Sequence, residues 1–224
     1  MAINVSMTKP DYSIPDGVYP ARLFQIIQIG SQEFGKTTPK PWFSPQILLG
    51  FELPTMTYEN INGEEVANIK SGTYFLSLNP SKNGTVGLRE IIDGLRGSSE
   101  YTAEELEKFD IEKFLGVECD IELSGVESKG VVYQNITAIA PRAKGAEALP
   151  TFRENILVTI DEFMNVDALN LPDWIKNKIM ESQEYKAMTE APEVKDENAA
   201  PFENDHFAVK PAGKEEEMPK DFLL

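Results

Sequence analysis

The sequence predicts a mainly β protein with helical additions: a five-stranded barrel, helices between strands three and four, and a disordered acidic C-terminal tail. Three observations lead there. Five stretches rich in β-branched and aromatic residues are bounded by glycine, proline or asparagine, the pattern of strands separated by turns. Two helical patterns with capping signals fall between the third and fourth stretch. From residue 182 hydrophobic spacing disappears and Pro, Ala, Glu and Lys dominate, a composition that buries too little apolar surface to order itself.

With 224 residues, 41% of them hydrophobic, the chain can bury one good core, or one domain with an appendage. The opening MAINVSMTKP lacks the basic and apolar segments of a signal peptide, and no apolar run approaches the roughly 20 residues that span a bilayer. A soluble intracellular protein without a membrane partner is therefore expected. A lone cysteine, Cys119, and a lone histidine, His206, leave neither an internal disulfide nor a His/Cys metal cluster. Cys119 lies in the apolar alternation Val117, Cys119, Ile121, Leu123 and reads as a buried, inert thiol.

The net charge of −16 speaks at first sight against a nucleic-acid partner, because neutralising phosphates needs a basic surface. Its distribution softens that objection. From Glu181 onward, 12 acidic against 5 basic residues carry −7 of the total. A cationic groove then requires the basic residues of the rest of the chain to gather on one face.

Residues 1–15 form a polar leader with no periodicity. Residues 16–30, DGVYPARLFQIIQIG, begin with the Asp16-Gly17 turn and continue as the first strand. The adjacent apolar pairs Leu23-Phe24 and Ile26-Ile27 break its alternation and predict a bulge, or cover on both faces. Residues 31–44, with Pro45 after them, contain GKTTPKPWFSP, where three prolines and a glycine interrupt regular structure and set Trp42 and Phe43 beside Lys36 and Lys40. Two readings stand for this loop. It is a finger that stacks bases and contacts phosphates, or a hairpin loop whose Trp42 folds back onto the core.

Residues 46–54, QILLGFELP, make the second strand, bent at Gly50 and ended by Pro54. Asn62-Gly63 is a two-residue hairpin signal between the polar arms TYENI and EEVANIK, where Tyr58 is a stacking candidate. Residues 73–79, TYFLSLN, make the third core strand. In residues 85–95, Val86, Leu88, Ile91, Ile92 and Leu95 mark one helical face between a Thr85 N-cap and a Gly97 stop. Thr102 opens a second helix with capping-box spacing to Glu105; it is expected to run through Leu106 and Phe109 to Phe114-Leu115 and stop at Gly116. Residues 117–126 and 131–141 pair as a hairpin around Ser128-Lys129-Gly130. Beyond RAKGAEALP, Pro172-Asp173 announces a short helix, LPDWIKNKI, whose Trp174, Ile175 and Ile179 dock on the barrel or meet a partner. The expected units are a leader (1–15), a barrel domain (16–145), a C-terminal extension (146–181) and the tail (182–224).

Five strands with a helix between the third and fourth is the order of the oligonucleotide-binding fold, or OB-fold. Phosphate-loop glycines, a dinucleotide fingerprint, a serine elbow and metal-ligand spacings are absent from the sequence. Glu104, Glu105 and Glu107 read as a solvated helix face. No catalytic residue, metal site or cofactor is expected, and the chain does not read as an enzyme.

In order along residues 16–180, the segments DGVYPARLFQIIQIG, ILLGFELP, TYFLSLN, LREIIDGLRG, FDIEKFLGVECDIEL, YQNITAIAPRAKG and LPDWIKNKI resemble a family of bacteriophage single-stranded DNA-binding proteins. The resemblance implies an OB-fold that coats single-stranded DNA during replication or recombination, in the cytoplasm of an infected host cell. It leaves homo-oligomerisation open. The contact residues follow from chemistry, since sequence-tolerant binding needs exposed aromatics beside cations. The stacking candidates are Trp42, Phe43, Tyr58, Tyr74 and Tyr133; the phosphate candidates are Lys36, Lys40, Lys82, Arg89, Arg96, Lys129, Arg142 and Lys144. For each, the alternative is a core aromatic or a solvated surface cation.

The terminal EEEMPKDFLL resembles the acidic tips by which single-strand binding proteins recruit replication and recombination proteins, making Asp221, Phe222, Leu223 and Leu224 the partner-binding candidates. Lys220 interrupts the acids, and Phe222-Leu223-Leu224 stands where such tips end in an aromatic residue. Two other classes are compatible with the chain: an acidic DNA-mimic inhibitor of host defence, and a phage structural or assembly protein.

Overall fold

The computed structural model describes residues 14–80, 86–128 and 131–190. Two long strands carry it, β1 (Gly17–Phe34) and β2 (Trp42–Glu59), whose antiparallel register sets Arg22 opposite Glu52 and Phe34 opposite Trp42. Next to β2 lies β3 (Glu65–Phe75); on the other side of β1 lie β4 (Glu118–Ser128) and then β5 (Val131–Pro141). The order is thus β3-β2-β1-β4-β5, antiparallel throughout. A sixth strand, β6 (Ile156–Val158), pairs parallel with β1 at Gln25, Ile26 and Ile27. Three residues are too few for an alternation to register in the sequence.

The adjacent apolar pairs of β1 are explained by cover on both faces. Leu23 and Ile26 belong to a core with Ile47, Leu49, Phe51 and Ile121, while Ile27 and Ile29 belong to a second core with Leu48, Val158, Phe163 and Ile175. Register shifts between Leu23 and Gln25, and between Gln28 and Gly30, let the strand bend and serve both. Over the first core lies α1 (Leu88–Arg96), which buries Leu88, Ile91, Ile92 and Leu95 and stops at Gly97 in the left-handed region, φ 69°. Its N-terminus is at Gly87, whose N–H donates to the Glu90 carboxylate at 2.9 Å. The expected cap, Thr85, lies outside the described residues. Over the second core lie a 3-10 helix (Ile160–Ala168) and α3 (Asp173–Met180), so the extension is part of the fold and Ile175 and Ile179 dock where LPDWIKNKI predicts.

Strand bounds differ from expectation: β2 passes Pro54 and runs to Glu59, an irregularity between Leu53 and Thr57 absorbing the proline, and the third strand is Glu65–Phe75 rather than residues 73–79. Three further expectations are corrected. The sheet is not a closed barrel: no ladder joins β3 to β5 among the described residues. Instead α1 lies against β5 so closely that a Cβ on Gly94 would meet the Ile139 carbonyl oxygen at 2.5 Å, and the Lys70 ammonium spans the gap to donate to the Gln134 carbonyl. The Lys70 side chain thus reaches across a gap that no ladder hydrogen bond closes among the described residues.

The second correction concerns the helix opened by Thr102. Its capping box is present, with Thr102 Oγ1 accepting from Glu105 N–H at 3.1 Å and the Glu105 carboxylate accepting from Thr102 N–H at 3.0 Å. The helix ends at Glu107, and a separate 3-10 turn (Glu112–Phe114) follows. Asp110 accepts from Glu112 N–H at 3.0 Å, offering the backbone an alternative to the helix. Phe109 turns inward between Tyr101 and Phe114, at centroid distances of 5.8 and 6.0 Å.

The third correction moves the start of the tail. Residues 183–190 form the last helix, α4 (Gln183–Glu190), the short helix Ala103–Glu107 being α2. The Glu184 carboxylate anchors α4 by accepting from Ser31 N–H at 2.6 Å and from its hydroxyl at 2.7 Å. Gly30, at φ 69°, makes room, since a Cβ there would fall 2.5 Å from the Ser182 Cβ. No helix among the described residues is long and apolar enough to cross a membrane.

Candidate nucleic-acid interface

Prolines 39 and 41 confine the β1–β2 connection to residues 35–41. Gly35, at φ 66°, turns the chain, and its carbonyl accepts from Thr38 N–H at 2.7 Å. A side chain at Gly35 would collide with the Trp42 indole at 2.6 Å, so the glycine lets the ring lie over the turn. Trp42 and Phe43 are the first residues of β2, opposite Phe34 and Glu33, and not part of the loop itself. The Trp42 ring stacks on Phe34 at 5.8 Å with planes 21° apart, and Phe34 packs on Phe75 at 5.1 Å. Trp42 and Phe75, which both rest on Phe34, still expose 53% and 49% of their surface; Phe43, adjacent to Trp42 on the strand and so on the other face of the sheet, exposes 44%. Trp42 therefore does part of both things the sequence allowed: it rests on a neighbour and keeps half its surface in water.

Two lysines stand beside this cluster. Lys36 reaches Glu33 only at 3.9 Å, and Lys40 is exposed with no ion pair among the described residues. A groove of about 610 Å3 runs from Trp42 past Thr73, Tyr74 and Phe75 to Leu88. It shares Thr73, Tyr74 and Val86 with a second groove of about 400 Å3 between β3 and β5. Lys70 lies in that second groove, and burial lowers its pKa.

The remaining candidates divide by environment. Tyr74 lines both grooves but packs against the first core, and burial pushes its phenol up to about 12. Tyr58 is half-buried on β2 opposite Val66, and Tyr133 is 55% exposed on β5 opposite Val126. Arg89 and Arg96 both lie over the Tyr101 ring, at 5.0 and 4.6 Å, and pair with Asp93 at 3.7 Å and Glu105 at 3.3 Å. Tyr101 donates to Asp93 at 2.5 Å; burial first, then that hydrogen bond, push its phenol up to about 12. These two arginines fasten α1 to the segment after it. Arg142 pairs with Glu118 and Asp120 on β4, at 3.7 Å each. Lys144 is exposed and lines neither groove. Lys82 and Lys129 lie outside the described residues, as do Asp221, Phe222, Leu223 and Leu224.

The fold therefore gathers Lys36, Lys40, Trp42, Phe43 and Tyr74 at one end of the β1–β2–β3 sheet, and turns Arg89, Arg96 and Arg142 toward carboxylates. Sequence reasoning missed Phe34, Phe75 and Lys70 as members of this surface. Phe34 was hidden because Gly30 looked like the end of the first strand, although the strand bends there and continues. Lys70 sits in EEVANIK, which has the polarity of an exposed ribbon. A scan against protein-family models finds no match for the chain, and a search of curated proteins finds none either.

Proposed function

We propose that the chain is a sequence-independent single-stranded DNA-binding protein of bacteriophage type, a binding protein and not an enzyme. In this reading it coats single strands during replication or recombination in the cytoplasm of an infected cell, and its acidic C-terminal tail recruits partner proteins. Its sheet is an open version of the OB-fold. The observation that carries the reading is the half-exposed pair of Trp42 and Phe75, joined through Phe34 and lining a groove, with Phe43, Lys36 and Lys40 nearby in the chain. Every base offers a stacking face, worth about 1–3 kcal/mol on an aromatic side chain, and lysines meet phosphates whatever the sequence. An acidic mimic of DNA would have no use for such a surface.

The test is titration of the full-length chain with labelled oligo-dT and with a mixed-sequence strand of equal length. Both should bind alike, and more weakly as salt rises above about 0.1 M. Trp42→Ala should weaken binding about 5- to 150-fold, the loss of one stack, at an unchanged melting temperature. Absence of binding by the unaltered chain overturns the proposal. A lower melting temperature with unchanged affinity would make Trp42 a packing residue.

A further inference from the structure

Sharing Phe34 with the aromatic cluster is a polar pocket of about 210 Å3, where β1 meets α3 and α4. It is lined by three lysines from three elements: Lys36 after β1, Lys178 in the last turn of α3, and Lys186 on α4. Two carboxylates, Glu33 and Glu181, also line it. Lys178 and Lys186 have no carboxylate within ion-pair distance among the described residues, and Lys36 is held only by its 3.9 Å contact with Glu33. A chain of net charge −16 has thus placed three ammonium groups around one small pocket with a local excess of positive charge.

The walls of the pocket are fixed. The Gln32 side-chain amide donates to the Ile29 carbonyl at 2.6 Å and to the Lys178 carbonyl at 2.9 Å, tying the end of α3 to β1. Glu184 and the bare Cα of Gly30 hold α4 against the same stretch. Nothing in the described residues uses the two helix lysines, yet the scaffold that presents them is well bonded.

On the single-strand reading above, we infer that this pocket is a phosphate-binding extension of the track. Bases stack at Trp42 and Phe75, and the phosphodiester backbone continues past Phe34 to Lys36, Lys178 and Lys186. The C-terminal helices thereby become part of the DNA-binding surface, and the footprint extends beyond the sheet.

The salt dependence of oligo-dT binding tests this in the full-length chain. Each phosphate contact contributes about 0.7 to the slope of log K against log salt for a single strand, so Lys178→Ala/Lys186→Ala should shrink that slope by about 1.4. Lys178→Arg/Lys186→Arg should keep it, because the charges remain. Trp42→Ala should lower affinity with the slope unchanged. Oligonucleotides too short to reach past Phe34 should bind the unaltered chain and the double alanine variant equally. Tight binding by the unaltered chain with the same slope in the double alanine variant overturns the pocket and leaves the single-strand reading intact. Absence of binding by the unaltered chain overturns both.

Discussion

Arg22 is the one basic residue of β1, and it points inward. Its Nε donates to Glu52 at 2.6 Å, and its other nitrogens donate to Asn155 Oδ1 and the Arg153 carbonyl. Both partners of the ion pair are buried, Glu52 completely. Breaking a buried pair from one side leaves an uncompensated charge, so Arg22→Met should destabilise the fold by about 3–5 kcal/mol in chemical denaturation. Arg22→Met/Glu52→Leu should lose much less, because it strands no charge. Equal losses in the single and double variants would show that the two side chains do not act as a pair. No signal in the sequence joins Arg22 to a carboxylate 30 residues away, and the same holds for Arg96 and Arg142; Arg89, paired with Asp93 at i,i+4 on α1, is the local exception. Cys119 was legible, because its burial follows from the alternation around it; the thiol is completely buried and pushed up to about 12 by that burial. Composition and local spacing reveal which residues can be buried or can stack, while ion pairing between distant elements leaves no local trace.

Among the elements, legibility follows periodicity and length. The cores of β1, β2, β4 and β5, and α1, were readable because each carries several apolar residues at a fixed spacing, whereas β3, Glu65–Phe75, was expected at residues 73–79 because its first half is polar. β5 has the bounds its sequence predicted, residues 131–141. By contrast, α4 is QEYKAMTE, with no buried residue and no apolar stripe, and it is held by the contacts of Ser182 and Glu184. A chain ending at Glu190 should therefore melt higher than one ending at Glu181. Burial works against the Glu184 charge, but the Ser31 N–H and hydroxyl outweigh it and hold the carboxyl below its usual range. A carboxyl with a folded value below its unfolded one stabilises above the unfolded value, and loses that contribution as pH falls through the folded value. The melting difference between the two chains should accordingly shrink as the pH is taken below the carboxylate range. A difference independent of pH would place the anchor of α4 elsewhere.

At the scale of the whole molecule, closure of the sheet was the feature sequence order could not decide. Whether β3 and β5 meet depends on groups such as Lys70 and Gln134, 64 residues apart, and on how closely α1 approaches Ile139. The net charge also acts at this scale. At roughly 0.01 M salt the screening length is about 30 Å, so an approaching strand feels the repulsion of the whole acidic chain; at roughly 0.1 M it is about 10 Å, and the nearby lysines dominate. The association rate with oligo-dT in stopped flow should therefore rise between those two salt concentrations, opposite to the trend for a basic binder. A steady fall across that range would show that the lysines govern the encounter from long range.

Because β1 lies between two cores, it also sets the timing of synthesis. The backbone N–H of Ile160 donates to Gln28, 132 residues earlier, and the cover over Ile27 and Ile29 comes from residues still later in the chain. At about 5–20 residues per second, a ribosome needs roughly 7–26 seconds to make that span. For that interval the nascent strand carries a row of isoleucines with no native cover. A holding chaperone would find its target there, and the last helices, more than the first five strands, determine when the chain can leave it.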